Sequence, residues 1–329
     1  MLRKKSTKFK VIIPIMTVIM AFVVIGVSYI YTKLNKVKKV EIPKTSKELN
    51  ISPKAETYDN SITNIAFYGL DRRAKDEASR SDAIIIVSID KQHKKIKLSS
   101  VMRDSYVNVE GHGMTKITHA YAYGGPQLAI KTLNQNFDLN IKDFVTVDFF
   151  DLEKIIDAVG GIDLNITNEE LKYINSYIKE TSNIEKSAVP TITKAGIQHV
   201  NGRQAVAYTR IRYTAGGDFE RTTRQRTVLT SLLNEIMKTS VSNLPNVVNN
   251  LAQYTETSLS STEMIKMATS VAASGIHDIV QERFPVDGYC NALTKDGVWY
   301  LQLDINATKD QLYKFIYEDI KPVPGTPKF

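Results

Sequence analysis

Apolar positions follow two different periods along this chain. Short runs that are rich in β-branched residues, or that alternate between apolar and polar residues, are typical of strands. They predict strands over residues 62–68, 83–89, 95–99, 144–149 and 162–166, with a β-like tail over 283–303. Longer stretches with apolar residues at every third or fourth position are typical of helices. They predict helices over residues 124–136, 150–159, 222–237, 244–252, 262–273 and 309–320.

Strands that alternate with helices indicate an α/β protein, here in a single domain. We therefore predict a three-layer α-β-α sandwich around a central mixed sheet, occupying residues 61–329. Residues 33–60 are polar and include Pro43 and Pro53. They are predicted to form an extracytoplasmic linker that lifts the domain off a membrane.

An uncharged apolar run of 21 residues extends from Val11 to Tyr31. At a rise of about 1.5 Å per residue, a helix of this length crosses a bilayer core of roughly 30 Å. The alternatives are a buried soluble helix and a cleaved signal peptide, but no small-residue cleavage site follows. Residues 1–32 are therefore predicted to be a short cytoplasmic arm and an uncleaved anchor. The short arm and long body favour a single-pass protein with its N-terminus inside, although five cationic residues before the span and four after give little charge bias.

The net positive charge of the chain is concentrated on either side of the predicted membrane anchor. The formal net charge is +8, and the nine cationic residues that flank the apolar run exceed it, which leaves −1 for residues 40–329. A nearly neutral body argues against a general nucleic-acid footprint, so no nucleic-acid partner is expected. The flanking lysines suit anionic lipid head groups.

Arginine is concentrated in two segments of the chain. The sequence contains 31 lysines and 12 arginines, and ten of the arginines lie within residues 72–103 and 203–226. A solvated basic surface can use either residue, whereas a rigid fork that grips phosphate or carboxylate requires arginine. The pattern predicts a polyanion site. Scattered surface salt bridges are the alternative interpretation.

Asp71 and Asp82 bracket a loop between two predicted strands. Two carboxylates at strand ends can hold Mg²⁺ beside a phosphate, because a small hard cation prefers oxygen ligands. Either aspartate could instead be a cap or turn residue, and the nearby Arg103-Asp104 pair could be a local ion pair. The sequence has no Gly-x-Ser-x-Gly, His-Glu-x-x-His or Walker motif. Arginines, a metal and carboxylates without a covalent nucleophile favour phosphoryl transfer.

Six motifs occur in order between residues 64 and 233. They are Gly-Leu-Asp-Arg-Arg to Ser-Asp-Ala, Ser-Val-Met-Arg-Asp, Lys-Ile-Thr-His-Ala-Tyr-Ala-Tyr-Gly-Gly, Val-Gly-Gly-Ile, Tyr-Thr-Arg-Ile-Arg and Gly-Asp-Phe-Glu-Arg-Thr-Thr-Arg-Gln. With the N-terminal anchor, they resemble the LytR-CpsA-Psr family of bacterial cell-envelope proteins. The family's usual Ser-Ile-Pro-Arg-Asp is Ser-Val-Met-Arg-Asp here, so the proline is lost and the Arg-Asp pair is kept.

The resemblance implies a Mg²⁺-dependent phosphotransferase. Such an enzyme moves a glycopolymer, teichoic acid or capsule-like, from a polyprenyl-pyrophosphate carrier to the C6 hydroxyl of N-acetylmuramic acid in peptidoglycan. Carried over by motif, Asp71 and Asp82 would hold Mg²⁺. The pyrophosphate would be bound by Arg73, Arg80, Arg103, Arg210, Arg212, Arg221, Arg224 and Gln225. Within this set, the catalytic residues would be Asp71, Arg73, Arg80, Asp82 and Arg103.

The resemblance further implies that the lipid tail lies in an apolar cleft of the sandwich and that the enzyme works at the membrane. Two other functions remain open from the motifs. A hydrolase would cleave the lipid pyrophosphate with water in place of the sugar hydroxyl. A non-catalytic receptor would only bind anionic envelope polymer.

Overall fold

The computed structural model describes residues 37–58, 60–72 and 79–326. The predicted membrane anchor and Arg73 lie outside these ranges. Within them, no helix is both long enough and apolar enough to span a membrane.

The strands and helices are named here in chain order. The described strands are β1 (Lys38–Lys39), β2 (Ile62–Leu70), β3 (Ser81–Asp90), β4 (Lys95–Val101), β5 (Tyr106–Val109), β6 (Gly113–Lys116), β7 (Asp143–Asp148), β8 (Ile162–Ile166), β9 (Gly196–Val200), β10 (Glu256–Thr257), β11 (Asp278–Phe284), β12 (Cys290–Lys295) and β13 (Val298–Leu303). The described helices are α1 (Pro53–Glu56), α2 (His119–Phe137), α3 (Phe149–Ala158), α4 (Asn168–Glu185), α5 (Gly202–Arg210), α6 (Gly217–Met237), α7 (Leu244–Ala252), α8 (Ser261–Ala273) and α9 (Ile305–Tyr317).

A mixed sheet forms the centre of the described structure. Its seven strands run in the order β1-β10-β7-β2-β3-β4-β11. Strand β2 is antiparallel to β3 and parallel to β7, and β11 is parallel to β4. Three separate two-stranded antiparallel sheets accompany it: the hairpins β5–β6 and β12–β13, and the pair β8–β9, whose strands are separated in sequence by helix α4.

Helices cover both faces of the sheet. Along β2, Ala66, Tyr68 and Leu70 pack with residues of α2 and α9 on one face. The alternate residue Ile65 packs against α6 on the other face, and Phe67 packs there too. Because β2 and β3 are buried on both sides, they are nearly continuous apolar runs rather than alternating ones. The predicted α/β architecture with a mixed central sheet flanked by helices is confirmed.

Several predicted elements match closely, and one long helix was missed. Strand β8 and helix α7 have the predicted bounds, whereas β2, β3 and β4 are each two or three residues longer than expected. Helix α4 was not predicted because its sequence is polar. Its start carried a usable signal, since Thr167 and Glu170 form a capping box.

Helix α2 begins before its predicted start. It runs from His119 and is interrupted at Gly124 and Gly125, where Gly125 has a φ of 62°. Glycine tolerates this left-handed conformation without steric cost. Pro126 then lies in the first turn of the continuing helix, where a missing amide hydrogen costs little.

The segment predicted as a linker contributes to the folded body. The described part of residues 33–60 supplies edge strand β1, which pairs with β10. Leu49, Ile51, Ala55 and Tyr58 are buried in the same core cluster as α2 and α9. The linker prediction overlooked these four core residues because polar residues separate them in the sequence. Only the folded chain brings their side chains into the same core.

Candidate functional site

The site forms around an irregularity at the end of the β2–β3 pair. Gly69 pairs with Ala83 and Leu70 pairs with Ser81, so Asp82 has no partner in the register. Such a bulge changes the direction of side chains locally. Here it allows the consecutive residues Asp82 and Ala83 to line the same cavity, which a regular strand would prevent because neighbours point to opposite faces.

Three guanidinium groups contact the carboxylate of Asp82. Arg103, just beyond β4, donates from Nη1 to Oδ1 at 2.9 Å. Arg212, after α5, and Arg221, in the first turns of α6, donate from Nη2 to Oδ2 at 3.2 Å and 3.0 Å. The side chain of Arg221 is only 2 % exposed, whereas that of Arg212 is 44 % exposed. We call Asp82 and these three arginines the Asp82 cluster.

The positive charges of the Asp82 cluster favour the ionised form of the Asp82 carboxyl group. Burial raises the pKa of Asp82, but the charges of Arg221, Arg103 and Arg212 outweigh that effect and hold the pKa below its usual value. Burial lowers the pKa of Arg221, partly offset by Asp82. Asp82 is therefore ionised at neutral pH and is a weak base, so its main effect is to position the guanidinium groups.

Two donors of the cluster lack an acceptor within the described structure. The Nε atoms of Arg103 and Arg221 are buried and make no hydrogen bond to any described residue. The Nε of Arg103 lies 3.4 Å from carboxylate oxygens of both Asp104 and Asp218, too far for a good bond. Buried donors are normally satisfied, and the Asp218 oxygen that faces the Arg103 Nε also makes no hydrogen bond to a described residue, so the polar groups of the cluster are incompletely satisfied.

Arg224 lies three residues beyond Arg221 but is not part of the cluster. It is 4 % exposed and donates to Glu170 and Glu220 at 2.7 Å each. Its remaining donors reach the Thr214 hydroxyl at 2.7 Å and the Ile211 carbonyl at 3.1 Å. These oxygens occupy its guanidinium, and the contacts join α6 to α4 and to the segment after α5. The structure therefore does not bring Arg224 to the predicted pyrophosphate site.

Arg210 is also held elsewhere. It donates to Glu180 at 2.9 Å and to the Thr181 hydroxyl at 3.0 Å, both on α4. Its guanidinium lies 5.6 Å from the ring centre of Phe149 and 5.4 Å from that of Tyr177. Arg210 thus packs at the α4–α5 contact rather than on Asp82, because the last turn of α5 faces α4.

The remaining predicted residues surround the cluster less tightly. Asp71 follows β2 and is exposed, and its backbone carbonyl accepts a bond from the Ser79 hydroxyl at 3.0 Å. Arg80 is exposed, and it helps burial to lower the pKa of His119. Gln225 is 9 % exposed and lines the cavity beside Asp82.

The metal prediction has limited support from the geometry. Among the described residues, no group of three or more histidine, cysteine or acidic side chains could hold a metal. Mg²⁺ does not require such a group, because it is commonly held by one or two carboxylates together with water and phosphate oxygens. Asp71 follows the last residue of β2, and Asp82 lies near the start of β3, which pairs with that end of β2. Asp71 is the more exposed of the two.

An apolar slot begins at Asp82 and enters the sandwich. It lies between the sheet and helices α3, α5 and α6, and its lining includes Phe67, Ile85, Leu152 and Leu229. Its volume is small, about 40 Å³. Sequence motifs did not identify this slot, because its lining comes from separate elements that only the folded chain brings together.

A larger apolar cavity lies further along the same strands and the same helix. Its volume is about 480 Å³. Ile65 of β2, Val87 of β3 and Leu233 of α6 line it, so each of these elements continues from the slot into the cavity. Met237, Met264 and Met267 form part of its wall.

The chain is similar in sequence to known proteins. The "Regulatory protein MsrR" of Staphylococcus aureus (strain COL) is 32% identical over 251 residues, which cover 75% of this chain and 72% of that protein. The "Polyisoprenyl-teichoic acid--peptidoglycan teichoic acid transferase TagT" of Bacillus subtilis (strain 168) is 27% identical over 316 residues, 92% of each chain.

A solved structure shares the fold. The "LytR-CPS2A-psr family protein YwtF (TagT) with bound octaprenyl pyrophosphate lipid" superposes with a TM-score of 0.61 at 22% identity, covering 84% of this chain and 99% of that chain. The sequence model of the LytR_cpsA_psr family matches residues 24–315. That range contains the bulge, the Asp82 cluster and both apolar cavities, and on this match the chain belongs to the LytR_cpsA_psr family, as its ordered motifs predicted.

Proposed function

We propose that this protein is a phosphotransferase that moves a glycopolymer from a polyprenyl-pyrophosphate carrier to the C6 hydroxyl of N-acetylmuramic acid in peptidoglycan. The observation that carries the proposal is the position of the Asp82 cluster at the entrance of an apolar slot. A donor with a diphosphate head and a long apolar tail requires these two features side by side. The relative TagT, named as a teichoic acid transferase, supports the same activity.

The arginines supply the charge that this reaction needs. Arg103, Arg212 and Arg221 are already held by Asp82, so phosphate oxygens meet guanidinium groups whose orientation is set before binding. The acceptor hydroxyl oxygen forms a bond to the glycan-side phosphorus, its proton is released, and the bond to the bridging oxygen breaks. Polyprenyl phosphate leaves with the electron pair of that bond. The cluster stabilises the negative charge on the leaving group.

The apolar slot and the larger cavity together form the proposed path for the lipid tail. A solved TagT structure, which shares this fold, contains octaprenyl pyrophosphate. The slot of about 40 Å³ must widen to admit a polyprenyl chain. The methionines of the larger cavity suit such adjustment, since methionine is unbranched and fills irregular spaces.

Mg²⁺ is part of the proposal, with Asp71 and Asp82 as the residues that would hold it. When bound, such an ion neutralises phosphate charge and orients the diphosphate. Asp71 is exposed and accessible to a hydrated ion. Asp82 would share its carboxylate between the ion and the arginines.

Localisation is proposed from the sequence and from the acceptor. Peptidoglycan lies outside the cytoplasmic membrane, so the domain must be extracytoplasmic to reach it. Residues 1–32 would provide the inner arm and a single membrane anchor. A reporter fused after Phe329 should therefore work outside the cell, and activity only in the cytoplasm would contradict this orientation.

The deciding experiment uses the full chain in detergent with a defined lipid-linked donor and peptidoglycan oligomers. The expected product is a glycan–phosphate–muramic acid linkage identified by mass spectrometry, together with released polyprenyl phosphate. Release that does not depend on the acceptor would identify a hydrolase. Binding of the donor without any release would identify a receptor.

A further inference from the structure

A group of aromatic rings beside the site, of which Trp299 is exposed and Tyr106 and Tyr300 are half-buried, is not used by the reaction described above. Trp299 and Tyr300 are neighbours on β13, and Trp299 is 45% exposed. The ring of Tyr300 lies 4.7 Å from that of Tyr106 on β5, measured between ring centres. The ammonium group of Lys116 lies 5.8 Å from the Trp299 ring and 5.9 Å from the Tyr300 ring. We call these four residues the aromatic ledge.

The aromatic ledge is joined directly to the Asp82 cluster. The backbone N–H of Leu301, next to Tyr300, donates to the carbonyl of Asp104 at 2.9 Å. Lys116 also forms an ion pair with the Asp104 carboxylate at 2.7 Å. Asp104 follows Arg103, whose guanidinium contacts Asp82 at 2.9 Å. A ligand on the ledge is therefore adjacent to the group that would hold the diphosphate.

We propose that the aromatic ledge binds sugar rings of the peptidoglycan acceptor strand; this rests on the proposed function. A pyranose ring presents a flat set of C–H bonds that packs on an aromatic face, while its rim of hydroxyls needs polar neighbours. The ledge offers both, because the exposed ring of Trp299 lies near the ammonium group of Lys116 and the half-buried ring of Tyr106 lies near that of Lys295. The exposed ammonium group of Lys295 also suits the acidic stem peptides that peptidoglycan carries.

The exposure of Trp299 fits a binding role better than a packing role. The β12–β13 hairpin is attached through Leu301, which is 4% exposed and lies in the main core. Trp299 is not needed for that attachment, since nearly half of its surface faces solvent. Large aromatic side chains that remain exposed beside a site are often the anchors of an interface.

The first test uses Trp299 as its own reporter. It is the chain's single tryptophan, so intrinsic fluorescence of the full chain in detergent reports on the ledge alone. Titration with N-acetylglucosamine–N-acetylmuramic acid oligomers that carry stem peptides should change the emission in a saturable way. Vesicles of anionic phospholipid should not change it. A response to vesicles but not to oligomers would overturn the proposal in favour of a membrane contact.

The second test separates acceptor binding from catalysis. Trp299→Ala should raise the KM for the acceptor about tenfold, the usual effect of truncating an interface anchor, and leave the KM for the donor unchanged. Trp299→Phe keeps a ring and should fall between parent and alanine variant. The matched control is Ile197→Ala, since Ile197 is an apolar residue that is 77% exposed on another two-stranded sheet, β8–β9. Its KM values should equal those of the parent.

The outcomes distinguish this inference from the proposed function. If the parent transfers polymer and Trp299→Ala has an unchanged acceptor KM, the ledge proposal is wrong and the transferase proposal stands. If the parent shows no transfer but its fluorescence saturates with glycan, the transferase proposal fails and the ledge remains a glycan site. A folded Trp299→Ala protein is confirmed by an unchanged thermal midpoint.

Discussion

Two arginines on the same helix, Arg221 and Arg224, have opposite surroundings. Both are nearly buried, at 2% and 4% exposure. Arg221 shares the carboxylate of Asp82 with two other arginines and also donates to Asp218 at 3.3 Å. Arg224 alone serves two carboxylates, those of Glu170 and Glu220.

The closeness of the contacts distinguishes the two environments. Around Asp82, three arginines share one carboxylate, the carboxylates of Asp104 and Asp218 lie further away at 3.3–3.4 Å, and two of the buried Nε donors make no hydrogen bond within the described structure. Around Arg224, acceptors outnumber the cation, and oxygens surround its guanidinium. The first arrangement is suited to receive an anion, and the second is complete without one. Neither burial nor position in the sequence distinguishes Arg221 from Arg224, because both are nearly buried and both lie within the same short motif.

The largest expected effect is on stability, at Arg224. In Arg224→Met the charge is removed and Glu170, with a side chain 7% exposed, loses its buried partner. Removing one member of a buried pair costs about 3–5 kcal/mol, so the free energy of unfolding should fall by about that amount in denaturant titrations. Arg212→Met is the control, with a change of less than about 1 kcal/mol, because Arg212 is 44% exposed. A stable Arg224→Met protein that has lost transfer would place Arg224 in the ligand site after all.

The next effect is on activity, at Arg212. Arg212→Lys keeps the charge but removes the planar fork that matches two phosphate oxygens. The expected loss is about 1.5–3 kcal/mol of transition-state stabilisation, a rate decrease of at least about tenfold. Arg210→Lys provides the matched change at an arginine that contacts Glu180 and Thr181 instead, and its donor-dependent turnover should stay near that of the parent. Equal losses of turnover in Arg212→Lys and Arg210→Lys would show that contact with Asp82 does not identify the arginines that act in transfer.

A third effect concerns Asp71, the more exposed of the two proposed metal-binding carboxylates. Asp71→Asn should raise the Mg²⁺ concentration needed for half-maximal turnover about tenfold, since a neutral amide is a poorer ligand for a hard cation. Stability should change by less than about 0.5 kcal/mol, because Asp71 is exposed. Turnover measured against Mg²⁺ and thermal unfolding of the same sample check both statements. An unfolded Asp71→Asn protein would instead identify a structural cap.

The smallest expected effect is the acid dependence of stability. The pKa of Asp82 is lowered in the folded state because its arginines outweigh the effect of burial. A lowered folded pKa means that its contribution is fully present above the unfolded value of about 3.9 and is lost as the pH falls through the folded value. Between pH 5 and pH 3, the free energy of unfolding should therefore decrease less in Asp82→Asn than in the parent. Parallel curves would mean that the arginines do not stabilise the ionised carboxylate.

The sequence predicted the four central strands of the sheet, β2, β3, β4 and β7, but not the short strands β1 and β10. Strands β2 and β3 were predicted from short runs rich in β-branched residues, and β4 from its alternation of polar and apolar residues. The clustering of arginine predicted a polyanion site, and the family resemblance implied that Asp82, Arg103, Arg212 and Arg221 belong to it. The family followed from motifs whose order is independent of the structure.

The tertiary structure decided which of these charges are free to act. Arg221 and Arg224 differ only by three positions on α6, and their roles depend on whether Asp82 or Glu170 lies opposite. The apolar slot, the buried segment around Leu49 and the aromatic ledge likewise join residues that are distant in sequence. Local sequence sets periodicity and turn chemistry, but the partner of a charge is set by long-range packing, which no local pattern encodes.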